Sequence, residues 1–574
     1  MAPASSSEFN WGDALAELGG PSPGMLNIGV ACADRHVAAG AGDRVAVRCL
    51  GRGRERRDIT FRQLSDLSGR AAAVLAELGV RPGDTVAVLL GRVSGLFATA
   101  LGIWKAGGIY CPLFAAFGPG PIRSRLELGR ARVLITSDEL YARKVAGARS
   151  SLPQLEHVLL LGEDGACAKV HPGCSDFGAL MAAAQPAPSV STRPDDPAFL
   201  HFTSGTTGTP KGAVHSHRAA LAHLATARKV FGLTEADVFW CTAEPGWVTS
   251  TAYGVIAPLV CGATALIDEV DLEPRRWYGI LHDENVTAWY TTPTAIRTMM
   301  RFGAALARSY RANSLRVAAS VGEPLNCEAV LWGEKALGVP FLDTWWQTET
   351  GAIVIANAPG DGRRPGSMGR LLPGVEAAVM RCDGSEAKPV ESADVVGELA
   401  IRAGWPSMFA GYLGDGKDPS PCFRYGWYFT GDLVRRDDDG FFWFVGRVDD
   451  MIKCGALQIG PFEVEAVLMD HPAVAEVGVV GKPDLLLREV PVAFAALNPG
   501  FDAGDALKTE LLSFARQELG STMAPREILF VAELPKTTTG KIMRRVLKAK
   551  AVGEPDGSDA LSVQRPCPGR YDDE

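Results

Sequence analysis

The segment from Thr203 to Gly212 reads TSGTTGTPKG and combines hydroxyl side chains, glycines and one lysine. Glycines let backbone N–H groups approach an anion closely, and Thr and Ser hydroxyls add donors that rotate to suit it. Lys211 adds a mobile positive charge. The order differs from the GxxxxGK[ST] loop of P-loop NTPases. The pattern therefore predicts a loop of another type that binds a polyphosphate.

Five further segments follow this loop in a fixed order. They are VGEP (321–324), DTWWQTETG (343–351), YFTGDL (428–433), GRVDD (446–450) and LPKTTTGKIMRR (534–545). Each segment alone is a weak signal, but the six together are very specific. The set resembles the adenylate-forming superfamily of acyl-CoA synthetases, peptide-synthetase adenylation domains and luciferases. Within it, the chain is most similar to acetyl-CoA synthetases and medium-chain acyl-CoA synthetases.

The resemblance implies two half-reactions. An acid first attacks the α-phosphorus of ATP to give an acyl-adenylate and pyrophosphate, and the acyl group then passes to an acceptor. Lys541 would bridge the acid and the α-phosphate, Thr348 would hold phosphate oxygens, and Glu349 would bind Mg²⁺, a cation that prefers oxygen ligands. The implied ATP-binding residues are Thr203, Ser204, Gly205, Thr206, Thr207, Gly208, Lys211, Gly322, Glu323, Pro324, Asp343, Thr344, Trp345, Gln347, Asp432 and Arg447.

The size of the acid is suggested by Trp346. In similar acetyl-CoA synthetases a tryptophan at this position blocks the acyl tunnel, and Val248, Thr249 and Val321 match the neighbouring pocket. A packed indole leaves little room, so we expect the pocket to hold at most two or three heavy atoms beyond the carboxyl carbon, which suits an acid of acetate or propionate size. Ordinary core packing of Trp346 is the alternative interpretation.

The chain departs from its relatives after the predicted hinge residue, Asp449, and this departure leaves more than one acceptor open. In KCGALQIGPFEVE (453–465), Ala456 and Gln458 stand where similar synthetases have Gly and Arg. Arg516, in contrast, matches a position that contacts CoA phosphate. One hypothesis is a small-acid CoA ligase, with CoA as a possible substrate beside ATP and Mg²⁺.

Two other hypotheses remain open. In the second, an amine captures the adenylate; one version is a diazotase that activates nitrite with ATP to diazotise an aryl amine. In the third, the protein is an inactive adenylate-binding regulator. The presence of Lys541, Glu349 and Asp432 argues against the third, because these residues are needed mainly for turnover.

Positioning these residues requires an α/β fold. Strand and helix patterns alternate over the first few hundred residues, which predicts parallel sheets flanked by helices. A small β subdomain is expected between about Gly366 and Val445, and a small mobile α+β domain at the C-terminus. The predicted boundaries are 1–448 for the large domain, 449–550 for the small domain and 551–574 for a flexible tail.

The composition fits this fold and limits the partners. The chain has 574 residues, 47% of them hydrophobic, and a net charge of -8, which argues against nucleic acid or an anionic membrane as a partner. Its 12 cysteines include no CxxC pair, and no signal peptide or membrane-length apolar run is read. We expect a cytoplasmic enzyme that binds a small acid, ATP and either CoA or an amine.

Overall fold

The computed structural model describes residues 9–19, 22–162, 170–203, 210–360, 362–383, 386–390, 392–413, 422–448, 450–454, 457–536 and 541–553. The chain divides into two compact units. Unit 1 contains Met1–Ala378, Ala400–Thr430 and Arg436–Trp443, and unit 2 contains Val379–Leu399, Gly431–Arg435 and Phe444–Glu574. The predicted domain boundaries at 448/449 and 550/551 stay predictions, and most of the predicted tail lies outside the described residues.

The first part of the chain alternates strands and helices, as the sequence predicts. The strands are β1 (Val45–Leu50), β2 (Arg56–Thr60), β3 (Thr85–Leu89), β4 (Ile109–Pro112), β5 (Val133–Thr136), β6 (His157–Leu160), β7 (Ser175–Asp176), β8 (Pro197–Thr203), β9 (Lys211–Ser216), β10 (Val238–Cys241), β11 (Thr264–Asp268), β12 (Ala288–Thr291), β13 (Val317–Ser320), β14 (Phe341–Trp345), β15 (Ile355–Ala356) and β16 (Arg370–Leu371). The helices are α1 (Trp11–Leu18), α2 (Arg35–Ala38), α3 (Phe61–Glu77), α4 (Gly95–Lys105), α5 (Pro119–Leu128), α6 (Asp138–Lys144), α7 (Phe177–Ala183), α8 (Ala219–Thr226), α9 (Ala257–Cys261), α10 (Pro274–Asp283), α11 (Pro293–Met300), α12 (Gly303–Tyr310) and α13 (Cys327–Leu337). Short π-helical segments cover Val30–Asp34, Ala227–Phe231 and Ser250–Ile256, and a 3-10 helix covers Ala146–Ser151.

The second part of the chain is richer in strands. Its strands are β17 (Ala377–Asp383), β18 (Glu386–Pro389), β19 (Gly397–Arg402), β20 (Gly411–Tyr412), β21 (Phe423–Arg424), β22 (Trp427–Arg436), β23 (Phe442–Arg447), β24 (Ile452–Cys454), β25 (Leu457–Ile459), β26 (Val474–Asp484), β27 (Arg488–Leu497) and β28 (Glu527–Phe530). Its helices are α14 (Pro461–Met469), α15 (Asp505–Met523), which is kinked at Gly520, and α16 (Arg544–Ala551).

Unit 1 is built on two sheets. One has the strand order β16-β15-β14-β13-β12-β10-β11-β1-β2, and the other β20-β9-β8-β4-β3-β5-β6-β7. The strands from β14 to β1 in the first sheet, and from β8 to β7 in the second, pair in parallel. Antiparallel strands close the edges, among them the hairpin of β8 and β9. The predicted α/β class is confirmed.

Packing explains why the chain adopts these elements. The parallel strand β3 is buried along its whole length, because helices cover both faces of such a sheet. Helix α3 begins with a capping box in which Thr60 and Gln63 satisfy each other's backbone N–H groups. Trp240 on β10 and Trp289 on β12 pack with Trp277 on α10 in a buried cluster.

The remaining sheets are smaller. One has the order β18-β17-β19-β22-β21 with β23 beside β22, in the region where the β subdomain is predicted. The other belongs to unit 2 and has the order β25-β24-β27-β26, with β28 pairing β27 and with α14 and α15 contributing to one core. This agrees with the predicted α+β fold of the C-terminal domain. Within the described residues, no helix is long and apolar enough to span a membrane.

Candidate active site

The predicted phosphate loop connects two antiparallel strands. Thr203, the last residue of β8, pairs with Lys211, the first residue of β9, and its hydroxyl donates to the Lys211 carbonyl at 3.5 Å. The loop residues Ser204, Gly205, Thr206, Thr207 and Gly208 lie outside the described residues. The strand pairing thus brings the two ends of the segment together, and its role in binding phosphate stays a prediction.

The segment that carries Thr348 and Glu349 is a tight turn directly after β14. The Thr350 hydroxyl donates to the Gln347 carbonyl at 3.0 Å, and the Gly351 N–H donates to the same carbonyl at 3.1 Å. Gly351 has φ +70, and a Cβ there would lie 2.1 Å from the Ser407 carbonyl oxygen. Only glycine fits both the left-handed backbone and this close approach.

Two buried histidines donate to carbonyls of this turn and of the neighbouring Ser407. His223 Nε2 donates to the Gly351 carbonyl at 2.8 Å, and His215 Nδ1 donates to the Ser407 carbonyl at 2.9 Å. A carbonyl can only accept, so the protons lie on these nitrogens. Burial lowers the pKa of each histidine to about 4. Both rings are therefore neutral near pH 7 and support the turn without adding charge beside Glu349.

Glu349 is only partly buried, and Tyr412 holds its carboxylate. The Tyr412 hydroxyl donates to Glu349 Oε1 at 2.7 Å, and Lys211 Nζ lies 5.2 Å from the centre of the Tyr412 ring. Strand β20 brings Tyr412 there by pairing with β9, where it lies opposite Ala213. Tyr412 thus contacts both Glu349 and Lys211, the two charged side chains predicted to act near the ATP phosphates. The sequence did not predict it, because "FAGYLG" contains no local signal of this contact.

The predicted magnesium ligand fits a cation that arrives with ATP. Within the described part of the chain, Glu349 Oε2 has no hydrogen-bond or ion-pair partner, and no group of three His, Cys, Asp or Glu side chains could hold a metal. Mg²⁺ is commonly held by one or two carboxylates together with substrate phosphates. The partly exposed Glu349 carboxylate is therefore a suitable protein ligand for a Mg²⁺ ion that ATP also binds.

Trp346 lies at the other end of the same segment, in an aromatic setting. Its side chain is 8% exposed, its indole N–H donates to the Tyr290 hydroxyl at 3.0 Å, and Tyr253 packs edge-on against it at 5.4 Å. Val248 and Thr249 directly precede the π-helical segment that carries Tyr253. The sequence did not identify Tyr290, which reaches Trp346 from β12.

Val321 follows β13, and its N–H donates to the Thr291 carbonyl at 3.1 Å. Gly322, next in the chain, is exposed with φ +97, and the Glu323 carboxylate pairs with Arg297 and accepts from the Thr294 hydroxyl at 2.6 Å. These contacts hold the VGEP segment, including Pro324, at the end of the strand. Adenine stacking there stays a prediction.

The remaining predicted ATP residues of unit 1 lie on β14 and just after it. Asp343 accepts from the Ser320 hydroxyl at 3.4 Å, and burial raises the pKa of its carboxyl well above the usual value. Thr344 and Trp345 are buried on the same strand. Gln347 donates to the Thr430 carbonyl at 3.0 Å and accepts from the Tyr428 hydroxyl at 2.7 Å. The YFTGDL segment is thereby tied to the turn through its first residues.

In unit 2, Asp432 is buried and forms an ion pair with Arg447 at 2.8 Å. Arg516 is exposed on α15. Of the residues expected to act in the second half-reaction, Asp449 and Ala456 lie outside the described residues. Only the backbone of Gln458 is described, and it pairs with Lys453. The roles predicted for this group stay predictions.

Lys541 is exposed, and the backbone that follows it is anchored. Ile542 forms a β-bridge with Lys536, and the Met543 N–H donates to the Pro535 carbonyl at 2.8 Å. Arg544 donates to Glu465 at 3.0 Å and to the Val479 carbonyl at 2.7 Å. The predicted catalytic lysine therefore precedes a helix whose first residue is fixed to the core of unit 2.

Comparison with known families defines the class of this protein. Residues 34–413 match the family described as AMP-binding enzyme, and residues 463–541 match the AMP-binding enzyme C-terminal domain. The chain belongs to the AMP-binding enzyme family. The predicted membership of the adenylate-forming superfamily and the predicted class, an AMP-forming ligase that uses ATP, are confirmed.

Individual relatives cover nearly the whole chain. An acetyl-coenzyme A synthetase from Bacillus subtilis (strain 168) is 42% identical over 558 residues, which are 96% of this chain and 95% of the relative. The crystal structure of a Brucella canis acyl-CoA synthetase is 36% identical with a TM-score of 0.73 and covers 95% of this chain and 97% of its own. The crystal structure of the anthranilate CoA ligase AuaEII in complex with anthranoyl-AMP is 29% identical with a TM-score of 0.84. The match covers 92% of this chain and 98% of that ligase.

Proposed function

We propose that this protein activates an acid of acetate or propionate size with ATP, releases pyrophosphate, and transfers the acyl group to CoA with release of AMP. The observation that carries the proposal is the buried Trp346 indole, which donates a hydrogen bond to Tyr290. Trp346 lies three residues before Glu349 in the same segment. Trp346 would close the acid pocket beside the carboxylate that would meet the phosphates. The names of the three relatives support CoA as the acceptor, and that of the Bacillus subtilis acetyl-coenzyme A synthetase also supports an acid of this size.

The first half-reaction brings two anions together, so positive charge and donors are needed where negative charge develops. We assign Lys541 to the attacking carboxylate and the α-phosphate, Thr348 to phosphate oxygens, and Lys211 to the departing pyrophosphate. Glu349 would hold the Mg²⁺ that accompanies ATP, and this ion would supply charge neutralisation on the phosphates. Tyr412 then has a supporting role, because it contacts both Glu349 and Lys211.

The small size of the acid follows from packing. An indole whose N–H and ring edge are both engaged in a close-packed interior yields little space, so a longer chain or an aromatic acid would clash with it. Val248, Thr249 and Val321 would form the rest of the pocket wall.

CoA is the acceptor that the relatives favour. The amine-capture alternative, including nitrite activation, arises from Ala456 and Gln458, and the relatives named above do not favour it. An inactive regulator is disfavoured because Lys541, Glu349 and Asp432 are all present. We also propose a cytoplasmic location, since ATP and CoA are available there and the described cysteines are free thiols.

The acceptor can be tested by supplying ATP and Mg²⁺ with acetate, propionate, butyrate or nitrite, with and without CoA, and measuring AMP and pyrophosphate. We expect sustained AMP release with acetate or propionate only when CoA is present. Release with nitrite and an aryl amine that ignores CoA would contradict the proposal and support the diazotase alternative. No AMP with any acid would support the inactive regulator.

A further inference from the structure

We propose that Tyr290 is a positioning residue that sets acid selectivity, because its hydroxyl fixes the Trp346 indole in the place where it closes the acid pocket. The inference rests on the proposed function, since it requires Trp346 to limit the size of the acid. Nothing in the local sequence around Tyr290 indicates this role; it follows from the hydrogen bonds that the tyrosine makes.

The hydrogen bonds around Tyr290 form a chain with only one possible direction. Trp346 Nε1 lies 3.0 Å from the Tyr290 hydroxyl, which lies 2.7 Å from Thr344 Oγ1, which lies 2.7 Å from the Ser320 carbonyl oxygen. An indole nitrogen can only donate and a carbonyl can only accept. The Thr344 hydroxyl therefore donates its hydrogen bond to the Ser320 carbonyl, and the Tyr290 hydroxyl donates to Thr344 Oγ1. The lone pair of Tyr290 is left to accept the indole N–H.

The residues that form this chain of hydrogen bonds are buried, and each donor has one acceptor. Tyr290 is 0% exposed, Thr344 is 4% exposed and Ser320 is 0% exposed. Its last member, Ser320, ends β13, and the next residue is the predicted pocket residue Val321. The hydrogen bonds therefore tie the indole to the strand that leads into Val321.

The ring of Tyr290 is held independently of its hydroxyl. Phe231 packs edge-on against it at 5.0 Å and Tyr253 at 5.4 Å. Tyr290→Phe would keep this packing and remove only the hydroxyl. The indole N–H would then lack its acceptor in a buried place, and such a group is costly to leave unpaired. The indole would leave this position more often, and longer acids would enter.

Tyr253 provides a matched control. It is also fully buried and contacts the Trp346 ring, but its hydroxyl contacts Thr226 Oγ1 at 2.8 Å and accepts from the Ile353 N–H at 2.9 Å. Tyr253→Phe makes the same chemical change in the same aromatic cluster without touching the indole N–H. A purely structural effect of losing a buried hydroxyl should therefore affect both variants alike.

The experiment measures pyrophosphate–ATP exchange with acetate and with butyrate for the full-length wild type, Tyr290→Phe and Tyr253→Phe. We expect the butyrate-to-acetate ratio of kcat/KM to rise about tenfold in Tyr290→Phe, the usual effect of one buried hydrogen bond, with the KM for ATP unchanged. The ratio should stay at the wild-type value in Tyr253→Phe. An unchanged ratio in Tyr290→Phe, or an equal rise in both variants, would overturn the inference.

A double-mutant cycle tests the same contact from the indole side. Trp346→Phe removes the indole N–H, so adding Tyr290→Phe to it should not raise the ratio further, whereas additive effects would overturn the inference. Failure of the proposed function is distinguishable: a wild type that shows no acetate-dependent exchange contradicts that function. A wild type that prefers acetate while Tyr290→Phe keeps the same preference contradicts only the role of Tyr290.

Discussion

Two parts of the segment 343–351, which we call the Trp346 end and the charged end at Glu349, have opposite surroundings. Around Trp346, the partners are buried and neutral, and each hydrogen bond has one direction. Around Glu349, the groups are charged and partly exposed, and Tyr412 contacts both the carboxylate and Lys211. Only three positions separate Trp346 from Glu349 in the chain.

The contrast indicates a division of tasks. A buried chain of neutral hydrogen bonds is rigid, because no bond can break without leaving a polar group unpaired. Such rigidity suits a pocket that discriminates acids by size. Partly exposed charges can meet an incoming polyphosphate and its cation. We therefore expect changes at the Trp346 end to alter selectivity and changes at the charged end to alter rate.

The largest effect is expected from a charge outside this segment. Lys541→Ala should lower acetate-dependent pyrophosphate–ATP exchange by at least about 10³-fold, because it removes the cation assigned to the developing charge at the α-phosphate. ATP binding, measured by calorimetry, should change little, since the other phosphate contacts remain. Exchange at the wild-type rate would show that the assignment of Lys541 is wrong.

The Trp346 end can be broken by removing the indole. Trp346→Gly should raise the butyrate-to-acetate ratio of kcat/KM by about 10²-fold, because space for two further methylenes opens in the pocket. Adenylation assays over a series of straight-chain acids would measure the shift. An unchanged chain-length preference would leave Trp346 as an ordinary core residue.

The charged end can be tested without removing a charge. Tyr412→Phe should lower the exchange rate by about tenfold, because the Glu349 carboxylate loses the hydroxyl that orients it, and such outer contacts tune metal ligands. The loss should grow as Mg²⁺ is lowered, while the butyrate-to-acetate ratio stays constant. A change in that ratio, or a loss independent of Mg²⁺, would contradict the division of tasks.

A smaller effect concerns stability and pH. Burial lowers the pKa to about 4 for His36, His215, His217 and His223 and to about 3 for His201. Unfolded histidine titrates near 6.5, so between these values the unfolded state binds more protons and the folded state loses stability as the pH falls. Each histidine adds a slope of up to about 1.4 kcal/mol per pH unit.

Two carboxyls, the buried Asp343 and the partly buried Glu463, have pKa values raised by burial and give the opposite slope, but the five histidines outnumber them. The midpoint of urea unfolding should therefore fall between about pH 7 and about pH 5, with most of the loss below the ordinary histidine pKa. A midpoint that stays constant or rises over this interval would contradict the neutral state of the histidines that support the Thr348–Gly351 turn.

The sequence predicted the class of the fold, because alternating strand and helix patterns are local signals of the sheets. Hydroxyl and glycine spacing likewise marks a segment predicted to bind phosphate, and that role stays a prediction. The sequence did not predict Tyr290 or Tyr412. The bond from Trp346 to Tyr290 joins residues 56 positions apart, and the bond from Tyr412 to Glu349 joins residues 63 apart. Such contacts depend on which strands pair, which no short pattern encodes.

The central claim, that this enzyme forms CoA thioesters of very small acids, is tested most directly by competition. Wild-type protein would receive ATP, Mg²⁺, CoA and equal amounts of acetate, propionate, butyrate, benzoate and nitrite, and the CoA thioesters would be quantified by mass spectrometry. We predict acetyl-CoA or propionyl-CoA as the main product, with only traces of longer or aromatic thioesters. AMP formation without any thioester, or a predominance of butyryl-CoA or benzoyl-CoA, would contradict the account.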